Sequence, residues 1–185
     1  MGRRALISFF ILLLAGNLAY GAGKNPAVRE YREANRLFAE AQYRDALLLY
    51  KKALASPSEK VPLGDIHTKM ADSYFRLGSF KQALAAYQRA IRYEKRSERA
   101  ETQYWIGFCT FLVGRDAEAV REFLKIPEFY PENGMWVTTA YYWAGRASER
   151  LGNKSDAAWY YKKAGGAGRS EQDRFALKRA RAVKK

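Results

Sequence analysis

The sequence predicts an all-α fold, a solenoid in which similar helix-turn-helix units follow one another. The first observation is a phrase that occurs four times: EAQYRDALLLYKKAL at 40–54, LGSFKQALAAYQRAI at 77–91, VGRDAEAVREFLKI at 113–126 and LGNKSDAAWYYKKA at 151–164. The second is its spacing, since the aligned alanines Ala46, Ala83, Ala119 and Ala157 are 37, 36 and 38 residues apart. Self-similarity at a period of this length is the signature of repeat architectures, which are binding scaffolds more often than catalysts.

Each unit divides into two helices joined by a tight turn. Small residues eight places into the first helix predict points where two helix axes approach closely: Ala34, Ala71, Gly107 and Gly145. The turn residues predict a left-handed backbone that ends the first helix: Ala41, Gly78, Gly114 and Gly152. The aromatics four places beyond the repeated alanines share their helix face, so we expect both to be buried: Tyr50, Tyr87, Phe123 and Tyr161.

These features resemble the tetratricopeptide repeat, whose signature is a small residue, a Leu-Gly turn, and then Ala, aromatic and Ala in the second helix. The second unit carries the matching residues Ala71, Leu77, Gly78, Ala83, Tyr87 and Ala90. The resemblance implies a right-handed α-solenoid of about four units at about 27–60, 64–97, 100–133 and 138–171. A Tyr-Pro pair at 130–131 and the helical segment Ala140-Tyr-Tyr-Trp-Ala-Gly that follows are similar to repeats of bacterial envelope proteins.

The N-terminus has the pattern of a secretory signal peptide. Arg3 and Arg4 precede an apolar run from Ala5 to Ala15, and small residues follow as far as Gly21. We expect cleavage after Gly21, export across the inner membrane and a periplasmic location. An uncleaved anchor is the alternative, although Ser8 interrupts the run, which is shorter than the roughly 20 apolar residues of a membrane span.

The chain is strongly basic, with 33 Lys and Arg against 19 Asp and Glu, a net +14. For an exported protein this charge favours acidic protein surfaces, envelope polymers and anionic membranes as partners over nucleic acid. Cys109 is the single cysteine. It cannot form an internal disulfide, and its neighbours Phe108 and Phe111 favour a place in the core.

A short basic helix is predicted at 170–185, after the glycine-rich break that begins at Gly165. The Ser170 hydroxyl can cap it. One face is apolar, formed by Ala176, Leu177, Ala180 and Val183, which is typical of a helix that covers the last repeat of a solenoid. Another face carries Arg174, Lys178, Arg181 and Lys185 and predicts contact with an anionic surface. The two roles are compatible.

The resemblance also implies where a ligand would bind, because the first helices of this family line the concave surface. The predicted groove residues are Tyr31, Asn35, Phe38, Asp72, Phe75, Tyr104, Phe108, Phe111, Tyr142, Arg146 and Glu149. Their aromatic rings favour an apolar segment of a partner protein, and burial of single rings between helices is the alternative. Capture of a C-terminal carboxylate is disfavoured, because Tyr31 and Tyr104 stand where the family uses lysine.

The residues do not suggest an enzyme. His67 is the only histidine and lies where the family has a packed aromatic, so we expect a packed side chain. The sequence has no metal-ligand spacing and no phosphate-binding loop, and we expect no cofactor. The preferred interpretation is an exported adaptor that holds a segment of an envelope protein. The alternatives are a peripheral binder of an anionic membrane or polymer, and self-assembly through repeat ends.

Overall fold

The computed structural model describes residues 25–56, 58–166 and 170–183. The predicted signal peptide and Lys185 lie outside these ranges. The described residues form helices and no strand: α1 Pro26–Ala39, α2 Tyr43–Ala55, α3 Leu63–Arg76, α4 Phe80–Ala90, α5 Arg99–Leu112, α6 Asp116–Phe129, α7 Gly134–Arg150, α8 Lys154–Gly165 and α9 Glu171–Val183. The all-α prediction is confirmed. No described helix has the length and apolar character needed to cross a membrane.

The chain divides into two compact units, and the boundary falls inside α3. The first unit ends at Ile66, and within it α1 packs against α2. The second unit begins at His67, and within it consecutive helices from α4 to α9 pack pairwise in chain order. Neighbouring helices of a helix-turn-helix repeat must pack in this way, because a single helix cannot bury its apolar face alone.

The turn prediction is confirmed at all four positions. Gly78, Gly114 and Gly152 have φ angles of 72°, 82° and 78°, and Ala41 has 59°. The left-handed conformation ends the helix without steric cost only for glycine, so Ala41 is held there against its intrinsic preference.

The close approach of helices is also confirmed. A Cβ atom built on Gly107 would lie 2.8 Å from the Phe123 ring, and one built on Gly145 would lie 2.8 Å from the Tyr161 ring. In both cases the aromatic of the second helix sits directly on the backbone of the first helix. Ala34 and Ala71 hold the same place in the first two repeats and are fully buried.

The repeated Ala-aromatic phrase forms the core of every unit. The four aligned alanines have no exposed surface, and the four aromatics are at most 2% exposed. The face that the sequence predicts to be buried is therefore buried in every repeat. Because every repeat needs this contact to hold its two helices together, the phrase carries structure and no information about a ligand.

Helix α9 begins with reciprocal capping and ends against the last repeat. The Asp173 backbone N–H donates to Ser170 Oγ at 3.0 Å, and the Ser170 N–H donates to the Asp173 carboxylate at 3.1 Å. Ala180 and Val183 pack with Ala157 and Tyr161 of α8. The capping and apolar-face predictions are therefore confirmed. Arg174, Lys178 and Arg181 are exposed.

Candidate functional site

In the first two repeats, the ninth residue of the unit accepts a hydrogen bond from the buried aromatic. In the first repeat the Tyr50 hydroxyl donates to Asn35 Oδ1 at 2.7 Å. In the second, the Tyr87 hydroxyl donates to Asp72 Oδ1 at 2.6 Å. Both acceptors are predicted groove residues. The structure gives them a partner within their own repeat, so their polar atoms satisfy a buried hydroxyl.

The third repeat lacks this polar pair. Phe123 replaces the tyrosine, and Phe108 replaces the polar residue fifteen positions before it. With no hydroxyl to satisfy, position nine is free to carry an apolar ring. Phe108 lies half-buried among other aromatic side chains.

Five half-buried rings from three helices form what we call the aromatic layer: Phe75 of α3, Trp105 and Phe108 of α5, and Trp136 and Trp143 of α7. The Phe75 ring centroid lies 5.1 Å from that of Trp105 and 6.0 Å from that of Phe108. Phe108 lies 4.6 Å from Trp143. Trp136 is connected to the other rings by the buried Tyr104, whose ring centroid lies 5.1 Å from its own. The whole layer belongs to the second compact unit.

Two predicted groove aromatics do not present their rings to solvent. Tyr104 is 8% exposed, and its ring stacks on Phe108 at 5.8 Å, with burial raising the pKa of the phenol to about 12. Phe111 is 6% exposed, because the Arg150 guanidinium covers its ring at 4.1 Å. The expectation of exposed rings is not met for these two residues, whose rings pack between helices.

The predicted residues of the first unit lie together on α1. Tyr31 donates its hydroxyl to Asp65 Oδ2 at 2.6 Å, and burial together with this carboxylate raises the pKa of the phenol. The Phe38 ring contacts that of Tyr43 at 5.6 Å. Tyr31, Asn35 and Phe38 therefore each have a contact within the first unit.

The predicted residues of α7 divide between the layer and the C-terminal cap. The Arg146 guanidinium lies 5.8 Å from the Trp143 ring centroid, at the edge of the layer. The Tyr142 ring contacts Trp143 at 5.8 Å and Phe175 of α9 at 6.2 Å. Arg146 therefore offers the layer a cation, while Tyr142 connects the layer to α9.

Glu149 belongs to a partly exposed junction between α7, α8 and α9. It accepts from Arg179 Nη2 at 2.6 Å and from the Tyr161 hydroxyl at 2.6 Å. Burial alone would raise the pKa of this carboxyl, but the hydrogen bonds from Arg179 and Tyr161 outweigh it and hold the pKa below its ordinary value. The sequence analysis missed Arg179, although its place in line with Ala176 and Val183 put a cation on the apolar face of α9.

Cys109 and His67 are packed side chains whose pKa values are shifted by burial. Burial, and secondarily the Asp72 carboxylate, raise the pKa of the Cys109 thiol to about 12. Burial lowers the pKa of His67, which stacks on Tyr93 at 5.7 Å. Both residues are packed, as the sequence predicts. In the part of the chain that the structure describes, no cluster of three His, Cys, Asp or Glu side chains could hold a metal ion.

Sequence reasoning missed the three tryptophans of the layer. Trp105 and Trp143 occupy the sixth place of their units, between the positions that the family resemblance marks as concave. The available signal was composition, since α5 and α7 each contain four aromatic residues, more than any other described helix. An aromatic at the sixth place can reach the same surface as one at the ninth, because the two are three residues apart on a helix.

Comparison with known proteins shows which solved structures have a similar fold. Residues 68–133 match the family model described as Tetratricopeptide repeat. The crystal structure of MamA protein is similar at a TM-score of 0.68 and 17% identity, covering 86% of this chain and 83% of that one. YrrB, described as a TPR protein with an unusual peptide-binding site, is similar at a TM-score of 0.67 and 23% identity. The match covers 94% of this chain and 88% of that one.

A third similar structure contains a bound peptide. It is the first TPR of Spaghetti (RPAP3) bound to HSP90 peptide SRMEEVD, with a TM-score of 0.51 and 22% identity over 68% of this chain and 92% of that one. None of the curated proteins matches the sequence. The structural similarities establish the fold of the helical repeats.

Proposed function

We propose that this protein, which is a tetratricopeptide-repeat protein, is an exported scaffold that holds an apolar segment of an envelope protein against its aromatic layer. The observation that carries the proposal is the layer itself, five half-buried rings contributed by three helices of one compact unit. Half-buried aromatic rings supply large contact areas at low cost in side-chain entropy, and they dominate the energetics of protein interfaces.

The arrangement of the rings favours an apolar ligand. Phe75, Phe108 and Trp143 meet through edge-to-face or tilted contacts, so each ring is held in place before a ligand arrives. Such preorganisation reduces the entropy lost on binding. The members of the layer carry no charge, and Arg146 at its edge can donate to a backbone carbonyl or a carboxylate of the ligand.

The similar structures support the proposal at the level of the fold. YrrB is described as having a peptide-binding site, and the RPAP3 repeat is bound to a peptide. Both similar structures thus associate this fold with peptide binding. In this chain we propose an internal segment with apolar side chains, bound extended or as an amphipathic helix.

A variant that copies the first repeat into the third tests the groove. In this transplant variant Gly107→Ala, Phe108→Asn and Phe123→Tyr reproduce Ala34, Asn35 and Tyr50, so the new hydroxyl has an acceptor at hand. Peptides selected from a random displayed library on the wild-type chain provide the ligand. We expect enrichment of aromatic and aliphatic residues, and an affinity about 30-fold weaker for the transplant variant, as for loss of an interface hot spot.

The matched control removes an exposed ring outside the layer. Tyr93→Asn changes a ring that is 54% exposed, and we expect no change in peptide affinity. The groove proposal fails if the transplant variant keeps its melting temperature and binds the selected peptides as tightly as the wild type.

Export is proposed from the N-terminal pattern and is tested separately. We expect the mature protein to begin after Gly21 and to appear in the periplasmic fraction of a bacterial host, measured by intact mass. A replacement of the apolar core, Leu12→Arg with Leu13→Arg, should leave the precursor in the cytoplasm. Cytoplasmic wild-type protein of full mass would contradict the proposal.

We also propose that α9 contacts an anionic surface through its exposed basic face. Arg174, Lys178 and Arg181 are exposed, and no acidic residue follows Asp173 in the sequence. The variant Arg174→Gln, Lys178→Gln and Arg181→Gln should bind anionic vesicles more weakly than the wild type, and the loss should shrink as salt is raised. Equal binding of the two proteins would contradict this role for α9.

A further inference from the structure

A second aromatic surface lies on α8 and shares no residue with the layer, and we infer that it inserts into the headgroup region of an anionic lipid bilayer. Its centre is Trp159, which is 51% exposed although it is large and apolar. The ring is held by Tyr141 at 6.0 Å and Tyr160 at 5.2 Å. The ring is therefore fixed on one side and open on the other, and no role in the repeat core explains its exposure.

Two lysines accompany this tryptophan on the same helix. Lys162 and Lys163 follow Trp159 by three and four residues, so all three side chains lie near one another, and all are exposed. Lys163 Nζ lies 5.1 Å from the Trp159 ring centroid. Together with Gly166 the three residues line an open pocket of about 390 Å³. We call these three side chains the α8 patch.

The C-terminal part of the sequence, which contains this patch, carries much of the net charge of the chain. From residue 154 to 185 the sequence has ten Lys and Arg against three Asp and Glu, a net +7, which is half of the net +14 in about a sixth of the length. On α8 itself Asp156 is the single acidic residue. Lysines in the last turn also offset the negative end of the helix dipole, but that role does not require an exposed tryptophan.

The composition of the patch favours a bilayer over a peptide as the occupant. Tryptophan has an apolar body and a polar N–H, and it concentrates at the interface between hydrocarbon and water. Lysine stems can lie along that interface while their ammonium groups reach lipid phosphates. Among the described residues that line the pocket, Trp159, Lys162 and Lys163 offer only hydrogen-bond donors, so no side chain there can accept from the backbone N–H groups of a peptide.

This inference rests on the proposed anionic contact and names the part of the surface that enters the membrane. The basic face of α9 supplies long-range attraction, and the α8 patch supplies the apolar contact that holds the protein at the bilayer. Electrostatic attraction alone is lost in salt, whereas buried apolar area is not. Binding that survives moderate salt should therefore depend on Trp159.

Sedimentation with vesicles tests the inference on the full-length chain. The vesicles contain equal parts of phosphatidylcholine and phosphatidylglycerol, with pure phosphatidylcholine as the neutral reference. The key variants are Trp159→Ala and the pair Lys162→Gln with Lys163→Gln. Each lysine close to an anionic bilayer strengthens partitioning about fivefold, so we expect the pair to weaken it about 30-fold. Trp159→Ala should remove the binding that persists in moderate salt.

Matched controls separate the patch from general charge and exposure. Lys51→Gln with Lys52→Gln removes two adjacent exposed lysines from α2, the same change in net charge elsewhere. Tyr93→Ala removes a ring of similar exposure. We expect both controls to bind within threefold of the wild type. The N-terminal apolar segment is identical in every variant, so differences between variants cannot come from it.

The outcomes distinguish the inference from the proposals that precede it. Equal losses from the two lysine pairs, or a Trp159→Ala variant with unchanged salt-resistant binding, would overturn the patch. Loss of binding in the α9 variant alone would leave the anionic contact of α9 standing and reject the patch. Patch-dependent binding to polyglutamate with no binding to the vesicles would assign the patch to an acidic protein, and would likewise overturn the inference.

Discussion

The second and third repeats have the same Ala-aromatic framework and treat one position differently. In the second, the small residue is Ala71, and Tyr87 bonds to Asp72. In the third, the small residue is Gly107, and Phe123 contacts its backbone without a polar partner. Position nine is then free for Phe108, which joins the aromatic layer.

The other two repeats follow the same division. The first has Ala34 with a Tyr50–Asn35 bond, whereas the fourth has Gly145, and its Tyr161 bonds to Glu149 instead of to position nine. The two repeats with alanine where the helices cross have a tyrosine hydrogen-bonded to the ninth residue of the unit. The two repeats with glycine there have an aromatic that makes no hydrogen bond to that ninth residue. A repeat can thus separate its ninth residue from the buried aromatic either by losing the hydroxyl, as in the third repeat, or by bonding it to another acceptor, as in the fourth.

Truncation of the apolar aromatic should have the largest effect on stability. Phe123 has no exposed surface, and we expect Phe123→Ala to lower the free energy of unfolding by about 3–5 kcal/mol through lost burial and a cavity. Urea denaturation measures the change. Phe129→Ala, at a ring that is 46% exposed, is the control and should cost much less. A similar cost for both would show that the third repeat is not held by Phe123.

A methyl group at the crossing should have the next largest effect. Gly107→Ala places a Cβ atom 2.8 Å from the Phe123 ring, so overpacking should cost about 1–3 kcal/mol. Gly134→Ala adds a methyl group where nothing lies within 4 Å and should not destabilise the protein. In the transplant variant, which also carries Phe108→Asn and Phe123→Tyr, alanine at 107 should lower the free energy of unfolding by less than it does in the wild-type background. An equal loss in both backgrounds would show that the alanine does not depend on the tyrosine–asparagine pair.

Removal of one hydroxyl from the second repeat tests the polar pair. Tyr87→Phe leaves the half-buried Asp72 carboxylate without its donor, and we expect a loss of about 1–2 kcal/mol. The exposed Tyr93→Phe serves as the reference and should change stability by a few tenths at most. If Tyr87→Phe is as mild as the reference, the pair does not contribute to the stability of its repeat.

The smallest effect concerns pH. Burial raises the pKa of Asp72 above 3.8, although the Tyr87 hydrogen bond opposes the shift. The folded chain thus holds this proton more tightly than the unfolded chain, and the contribution of Asp72 to the free energy of unfolding falls as pH rises through the raised pKa. Asp72→Asn copies Asn35 and cannot ionise, so its stability relative to the wild type should increase between pH 4 and pH 7.

Denaturation of the wild type and the Asp72→Asn variant at several pH values measures this difference, with Asp45→Asn as a surface control. A constant difference would contradict it.

The fold could be predicted from the sequence because each repeated residue is required by the local geometry of a turn or a helix crossing. A turn that needs φ near 70° selects Gly78, and a helix crossing selects Gly107, whatever the protein binds. The site was less predictable because exposure depends on side-chain direction within a helix and on neighbours from other helices. Family positions led to Phe75 and Phe108 but also to the buried Tyr104 and Phe111, and they passed over Trp105 and Trp143.

The ion pair of Arg179 could not be predicted from the sequence either, because it also depends on neighbours from other helices. Its distance from Glu149 in the sequence is 30 residues, and their ion pair depends on how α9 returns along α7 and α8. Sequence spacing alone carries no information about such a pairing. Only the apolar neighbours Ala176 and Val183 indicated that this cation faces the protein.

The sealed environment of Cys109 makes the chain convenient for site-specific labelling. Its thiol has no exposed surface, and its pKa is raised to about 12, so at neutral pH the reactive thiolate is nearly absent. Toward maleimides the folded wild-type protein should behave as if it contained no cysteine. A cysteine introduced at an exposed position can therefore carry a fluorophore or spin label while the native thiol stays in place to fill the core.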